Sequence, residues 1–321
     1  MSTVLDPPTN QIMPATNRRI DVGNRLQSVT TAIRLHIRWP GVRKSLSVTQ
    51  KRLAANAFNA DIEVLSAAKK LLDTSHPAFR ACSAIKSQAV ASWREATLPY
   101  VEPGIRLVRR SDLEKLEVKL RAAQAELVTA VGELDRCYED LVDQARLRLG
   151  ELFDSSDYPA SISDMFEIGW DYPSTTPPDY LQSVSPEIYH SECQRVRERF
   201  NEAVQIAESA FAEELSGMVS HLAERLSGQA DGKPKVFRDT AVTNLLEFFD
   251  RFQRLNLNSD EQLNQLVSDA RSLVSGVVPE QLRQRENLRE ELASGLSRIE
   301  SSLDGYLSNR PRRNILRRNA S

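Results

Sequence analysis

A chain of 321 residues, 40% hydrophobic and 27% charged, has room for one large or two to three small cores and is not a disordered polymer. Cys82, Cys137 and Cys193 are far apart and form no C-x-x-C pair, so they point to neither a disulfide framework nor a zinc ribbon and suit a reducing, cytoplasmic setting. The formal net charge of −2 conceals strong local imbalance, and no run reaches membrane-spanning length, so no membrane association is expected.

Residues 1–25, with Pro7, Pro8 and Pro14 among polar neighbours, read as a disordered leader too poor in apolar side chains to offset ordering entropy. From Val29 to Trp39 apolar residues alternate with Arg34, His36 and Arg38, which predicts a strand with one basic face. Pro40-Gly41 is a turn signal, and alternation at Val42, Lys44, Leu46 and Val48 predicts the second arm of a hairpin. A helix capped by Ser47 or Thr49 should run to about residue 72, and a second should follow Pro77. Ile105, Leu107 and Val108 then predict a strand returning beside the first, giving a small α+β module over 26–110.

Ser111 with Glu114 three residues later has capping-box spacing, and Leu113, Leu120, Leu127, Leu134 and Leu141 recur every seven residues behind it. Ser185-Pro186 opens another uninterrupted apolar pattern that ends at Gly228. Each pattern predicts a helix of about 40 residues, roughly 60 Å long. Two helices of matched length predict a long antiparallel, coiled-coil-like hairpin over 111–228. The companion track Leu116, Ala123, Ala130, Cys137 and Gln144 lacks the β-branched residues of a parallel dimer, favouring packing within one chain, with a homo-oligomer as the alternative. The connector, 153–185, carries an alternating string from Phe166 to Tyr172 that would cap the hairpin tip. Three further helices over 236–308 predict a C-terminal bundle, followed by an Arg-rich tail, 309–321. The fold class expected is therefore mainly α.

Motifs for chemistry are missing: there is no phosphate-cradling glycine loop, no H-E-x-x-H and no nucleophile elbow, so no catalytic residue, cofactor or metal ligand is assigned. His190 and Cys193 lie one helical turn apart, but a structural zinc needs about four ligands. Cysteines filling small apolar gaps are the simpler reading.

Charge carries more information. Basic residues crowd Arg18 to Arg52 against Asp21 alone, while between Arg148 and Arg195 acids accumulate without a single Lys or Arg. Arg34, Arg38, Arg43 and Lys44, with Arg310, Arg312, Arg313, Arg317 and Arg318 of the tail, are candidates for docking nucleic-acid phosphates or an acidic protein surface. Pairing of the alternating arginines inside the protein is the competing use. Phe166, Trp170, Asp164 and Asp171 are candidates for docking a partner at the connector, and Asp164 and Asp171 would be tested first in a metal-dependent hydrolase.

Trp39, Gly41, Arg43 and Lys44 after an alternating strand, the long helix from Ser111, the connector with Phe166 and Trp170, and the stretch from Phe237-Arg238-Asp239 to Leu257 form an ordered pattern over residues 26–308. The pattern resembles an uncharacterised bacterial and phage domain-of-unknown-function family, often encoded beside MoxR-type AAA ATPases and von Willebrand factor A proteins. That resemblance implies a non-enzymatic adaptor or scaffold within an ATPase-driven remodelling system, with such proteins as partners. A sequence-tolerant nucleic-acid-binding protein is the alternative.

Overall fold

The computed structural model describes residues 15–227, 240–277 and 279–309. The protein is mainly α and divides into two compact units. Of the described residues, one unit, the helical unit, takes those up to Thr30, Leu98–Pro103 and those from Ser174 on; the other, the sheet unit, takes Thr31–Thr97 and Gly104–Pro173. These units cut across the segments expected from sequence, because the first long helix and the connector belong with the N-terminal strands and the second long helix belongs with the C-terminal helices.

Helix α1 (Ala15–Val29) begins earlier than the expected leader allows, and its Val22 and Leu26 are buried. Thr30 Oγ1 donates to the Leu26 carbonyl at 2.6 Å as the chain turns into strand β1 (Thr30–Arg38). Strand β2 (Arg43–Ser45) follows Pro40-Gly41, yet it does not return along β1. It pairs instead with β3 (Ala68–Lys70) in a separate ribbon, because both lateral edges of β1 are taken by later strands. Between them lies α2 (Val48–Ala57), opened by a reciprocal capping box of Ser47 and Gln50. The expected helix to residue 72 ends here. The Ala60 amide closes back on the Ala55 carbonyl, and Asn59 takes a left-handed conformation (φ 50°) that asparagine tolerates better than most residues.

Helix α3 (Pro77–Glu95) has Pro at its first turn and buries Phe79, Cys82 and Ala89, as the sequence predicts. Strands β4 (Thr97–Pro99) and β5 (Ile105–Arg109) follow, and Gly104 (φ 80°) supplies the left-handed turn before β5. Helix α4 (Leu113–Arg136) is entered through a 3-10 turn (Arg110–Asp112). Ser111 lies inside that turn, so no capping box forms there. The helix expected to run about 40 residues is interrupted at Cys137, whose amide bonds to Leu134 in the tighter i−3 pattern, before α5 (Tyr138–Leu149) resumes.

After Gly150 (φ 53°) the connector makes three 3-10 turns and then strand β6 (Glu167–Asp171). Strand order in the main sheet is β4-β5-β1-β6, with β6 antiparallel to β1. The connector aromatics therefore extend a sheet rather than cap a hairpin. Leu116, Leu120, Leu127 and Leu134 of α4 meet Phe79 and Cys82 of α3 and Ile33, Phe166 and Ile168 of the sheet in one core. Phe166 packs edge-on to Trp39 with ring centroids 4.6 Å apart.

In the helical unit, a short α6 (Tyr180–Val184) precedes α7 (Pro186–Leu226), which is capped by Ser185. At 41 residues α7 matches its predicted length. Its stripe, from Val196 through Phe200, Val204, Phe211 and Leu215 to Leu222, is covered by α1 and by α8 (Thr240–Leu255), α9 (Glu261–Val274) and α11 (Glu286–Ser308). A single-turn-scale α10 (Pro279–Gln284) leads into α11. Phe211 meets Phe248 and Phe252 of α8 edge-on.

Each long helix covers its apolar stripe within its own unit: α4 with α3 and the sheet, and α7 with α1 and the C-terminal helices. No helix among the described residues is long and apolar enough to cross a membrane.

Candidate functional site

Among the described residues the predicted docking residues fall in the sheet unit, and most of them are engaged by other residues of that unit. On β1, Arg34 lies directly across from Asp171 of β6 and Arg38 directly across from Glu167. Arg34 Nε is 3.4 Å and His36 Nε2 2.8 Å from Asp171 Oδ1, while Arg38 Nη2 is 3.0 Å from Glu167 Oε2. The basic face of β1 is matched by the acidic positions of the connector strand. Each half-exposed pair contributes only a few tenths to about 1 kcal/mol, but together they fix the register of β6.

Lys44 is also spent internally. It pairs with Asp157, whose side chain has no solvent exposure and lies 2.6 Å from Nζ of the buried Lys69. Lys69 Nζ donates a further bond to the Leu152 carbonyl at 2.7 Å. The two ammonium groups, Lys44 first, hold the Asp157 carboxyl below the usual carboxylate range.

At the connector, Phe166 is buried, and the Trp170 indole donates to Glu117 Oε1 of α4 at 2.6 Å. Tyr172 donates to the same oxygen, and Arg121 pairs with the other at 2.8 Å. These bonds, Tyr172 first, lower the Glu117 pKa, while burial and then the Glu117 carboxylate push the Tyr172 phenol up to about 12. One helical face further along, Gln124 Nε2 donates to the Ile168 carbonyl at 2.8 Å. Phe166, Trp170 and Asp171, expected to receive a partner, are instead what fastens the connector to β1 and α4. Asp164 sits exposed in a 3-10 turn (Ser163–Met165), outside these pairings. Arg310, Arg312, Arg313, Arg317 and Arg318 lie outside the described residues. Among the described residues no three His, Cys, Asp or Glu side chains are gathered as a metal site.

What remains unspent lies on β2, α2 and β3. Arg43 stands directly opposite Lys70 across the ribbon, and neither has an acidic partner among the described residues. Like charges at opposed positions are unfavourable in isolation. Lys51 and Arg52 of α2 are unpaired as well, so that of six cations between residues 43 and 70 only Lys44 and Lys69 are neutralised, and Asp61 and Glu63 are the only acids in that stretch. The same segment exposes large apolar side chains: Val48, Leu53, Phe58 at 81% and Val64 at 80%. The sequence analysis names Arg43 as a docking candidate but places the apolar residues of this stretch on a helix running to about residue 72. The signal that would have found the surface is Asn56 and Asn59 breaking the pattern, which turns the following apolar residues outward.

No family model matches the chain, and neither a curated protein nor a solved structure does.

Proposed function

We propose that the protein is a non-enzymatic helical adaptor that receives an acidic, apolar-bearing segment of a partner protein on β2, α2 and β3. The observation that carries this reading is the coincidence, in one short segment, of the uncompensated Arg43 and Lys70 pair with exposed Val48, Leu53, Phe58 and Val64. An acidic partner relieves the like-charge opposition, and apolar side chains beside the acids bury the exposed ones. Of the nine basic residues first expected to meet phosphates, four lie among the described residues, and three of those, Arg34, Arg38 and Lys44, already face carboxylates of the same chain; the exposed apolar residues are mostly aliphatic rather than base-stacking. An AAA ATPase-driven remodelling system is the setting the sequence resemblance suggests for such an adaptor.

The test is matched affinity capture from the native host with the wild-type chain and an Arg43→Glu/Lys70→Glu/Phe58→Asp variant, followed by cross-link mapping. A stoichiometric partner joined through an acidic segment to Lys51 or Lys70 of the wild type, and lost from the variant, is expected. Retention of the same partner by the variant, or recovery of nucleic acid alone with strong salt sensitivity, would overturn the reading.

A further inference from the structure

The pairing of β2 with β3 determines which backbone groups of the ribbon are used. Leu71 N donates to Val42 O at 2.9 Å and Leu46 N to Ala67 O at 3.1 Å, and the register places Lys44 opposite Lys69 between these two bonds. Hydrogen-bonded positions alternate with open ones in an antiparallel pair, so Lys44 and Lys69 form a bonded pair, whereas Arg43 with Lys70 and Ser45 with Ala68 form open ones. The amides and carbonyls of Arg43, Ser45, Ala68 and Lys70 therefore point away from the ribbon, along its two outer edges. None of them has a hydrogen-bond partner among the described residues.

The β3 edge continues upstream of the strand: Ser66, Ala68 and Lys70 are all exposed, alternating with the half-buried Leu65 and Ala67 and the buried Lys69. The β2 edge instead stops at Ser47, whose amide is taken by Gln50 Oε1 at 3.0 Å as α2 begins. Charge then decides what the β3 edge accepts. A lysine on an edge strand ordinarily discourages pairing with another strand. Lys70, however, shares an open pair with Arg43, the kind of pair in which side chains approach most closely, and an acid beside the two cations is favoured over a neutral or basic residue.

We propose that the partner adds a strand to the β3 edge: an extended segment of alternating acidic and apolar residues, its backbone bonded to the outward groups of Ala68 and Lys70, with an acid opposite Lys70. Bonding to the outward groups of Lys70 turns the acid's own amide toward β3, so the amides of the acidic residues face the ribbon and those of the apolar residues face solvent. Strand addition rests on the adaptor reading above, whose capture experiment identifies the partner and does not depend on how its backbone is held.

The probe is a fluorescein-labelled peptide of sequence Glu-Val-Glu-Val-Glu-Val-Glu, titrated with the full chain and read by fluorescence anisotropy. Beside it run versions N-methylated on the glutamate amides, N-methylated on the valine amides, or carrying lysine for glutamate. Expected is saturable binding of the parent peptide at about 0.1 mM. Methylation of the glutamate amides should weaken it by about tenfold or more, methylation of the valine amides by less than about twofold, and the lysine version should not bind. In the protein, Ala68→Pro removes an amide that makes no ribbon bond, a position where an edge strand tolerates proline, and should weaken the parent peptide by about tenfold or more. Ser45→Pro, the matching change on the β2 edge, should alter it by less than about twofold. Should either proline variant lose the wild-type circular dichroism, the methylated peptides decide the question on the unaltered chain. Equal binding of the glutamate-methylated peptide, or loss of binding in Ser45→Pro with retention in Ala68→Pro, overturns strand addition on β3 while leaving an acidic partner on the ribbon. Binding of the lysine version, or no saturation by the parent up to about 1 mM, overturns it as well.

Discussion

Replacing Asp157 by Asn removes the carboxylate that Lys44 and Lys69 share while keeping its shape. Lys69 is the sensitive partner, because only 5% of its side chain is exposed and Asp157 has none. Removing one member of a buried ion pair leaves the other charge uncompensated, which costs about 3–5 kcal/mol. The lower end applies here, since the Leu152 carbonyl still accepts from Lys69 and the new amide oxygen can accept as well. A loss of about 3 kcal/mol lowers the melting temperature of a unit this size by roughly 10 °C. All three tryptophans, Trp39, Trp93 and Trp170, belong to the sheet unit, so their emission during urea unfolding reads that unit. A second substitution, Lys69→Met in the Asp157→Asn background, removes the stranded charge and should recover most of the loss. A change under about 1 kcal/mol in Asp157→Asn, or a double variant no better than the single, would refute the claim that this pair anchors the connector.

Acid should weaken the same unit: Asp157, Glu117, Asp135 and Asp154 have pKa values below their ordinary ones, and Asp73, bonded to Ser75 and Arg148, is lowered to about 2. Depressed carboxyl values give stability that is complete above the ordinary carboxylate range and lost as pH falls toward about 2, so the urea midpoint read by tryptophan emission should drop across that window and not above it. Glu117→Gln removes the charge that Trp170, Tyr172 and Arg121 share and should cost about 1.5–3 kcal/mol with a shifted Trp170 emission; an unchanged spectrum would contradict the bond. In the helical unit, a Cβ at Gly23 would lie 2.0 Å from Asn201 Oδ1 and 3.2 Å from its backbone nitrogen. Gly23→Ala should therefore cost about 1–3 kcal/mol by circular dichroism, and a neutral or stabilising result would mean that α1 does not pack this closely on α7. Cys82 is fully buried with its thiol pushed up by burial, whereas Cys137 and Cys193 are partly exposed. An aromatic disulfide reagent should label the latter two in the native state and Cys82 only on unfolding, and equal rates would displace Cys82 from the core.

Much of the architecture was legible because its signals are local. Ser185-Pro186 and the stripe behind it define α7, Pro77 opens α3, and the alternation around Ile33 and Ile168 marks β1 and β6, each set by neighbours a few residues away. What was not legible is pairing across long separations. The leucine repeat of α4 requires an apolar partner but does not specify one, and the partner it finds is α3 with the sheet. Likewise the two asparagines ending α2 are visible in sequence, yet apolar spacing past them imitates a continuing helix until β3 is seen to pair with β2.

Charge shows the same division between local signal and distant partner. The basic run on β1 and the acidic connector are conspicuous in sequence as two excesses, and each alone invites an external partner. They are 135 residues apart at His36 and Asp171, and only the antiparallel register of β1 and β6 makes them one another's counterions. Internal pairing of this kind removes Arg34, Arg38, Lys44 and Asp171 from the pool of free charges and so sharpens the meaning of what stays unpaired. Arg43 and Lys70 oppose each other without an acid because β2 and β3 form a two-stranded ribbon whose register is set by backbone bonds, Leu71 N to Val42 O at 2.9 Å and Leu46 N to Ala67 O at 3.1 Å, and not by side-chain charge. An arrangement the chain's own electrostatics disfavours, held by its backbone beside exposed apolar side chains, is the physical basis for the proposal that a partner docks on this ribbon.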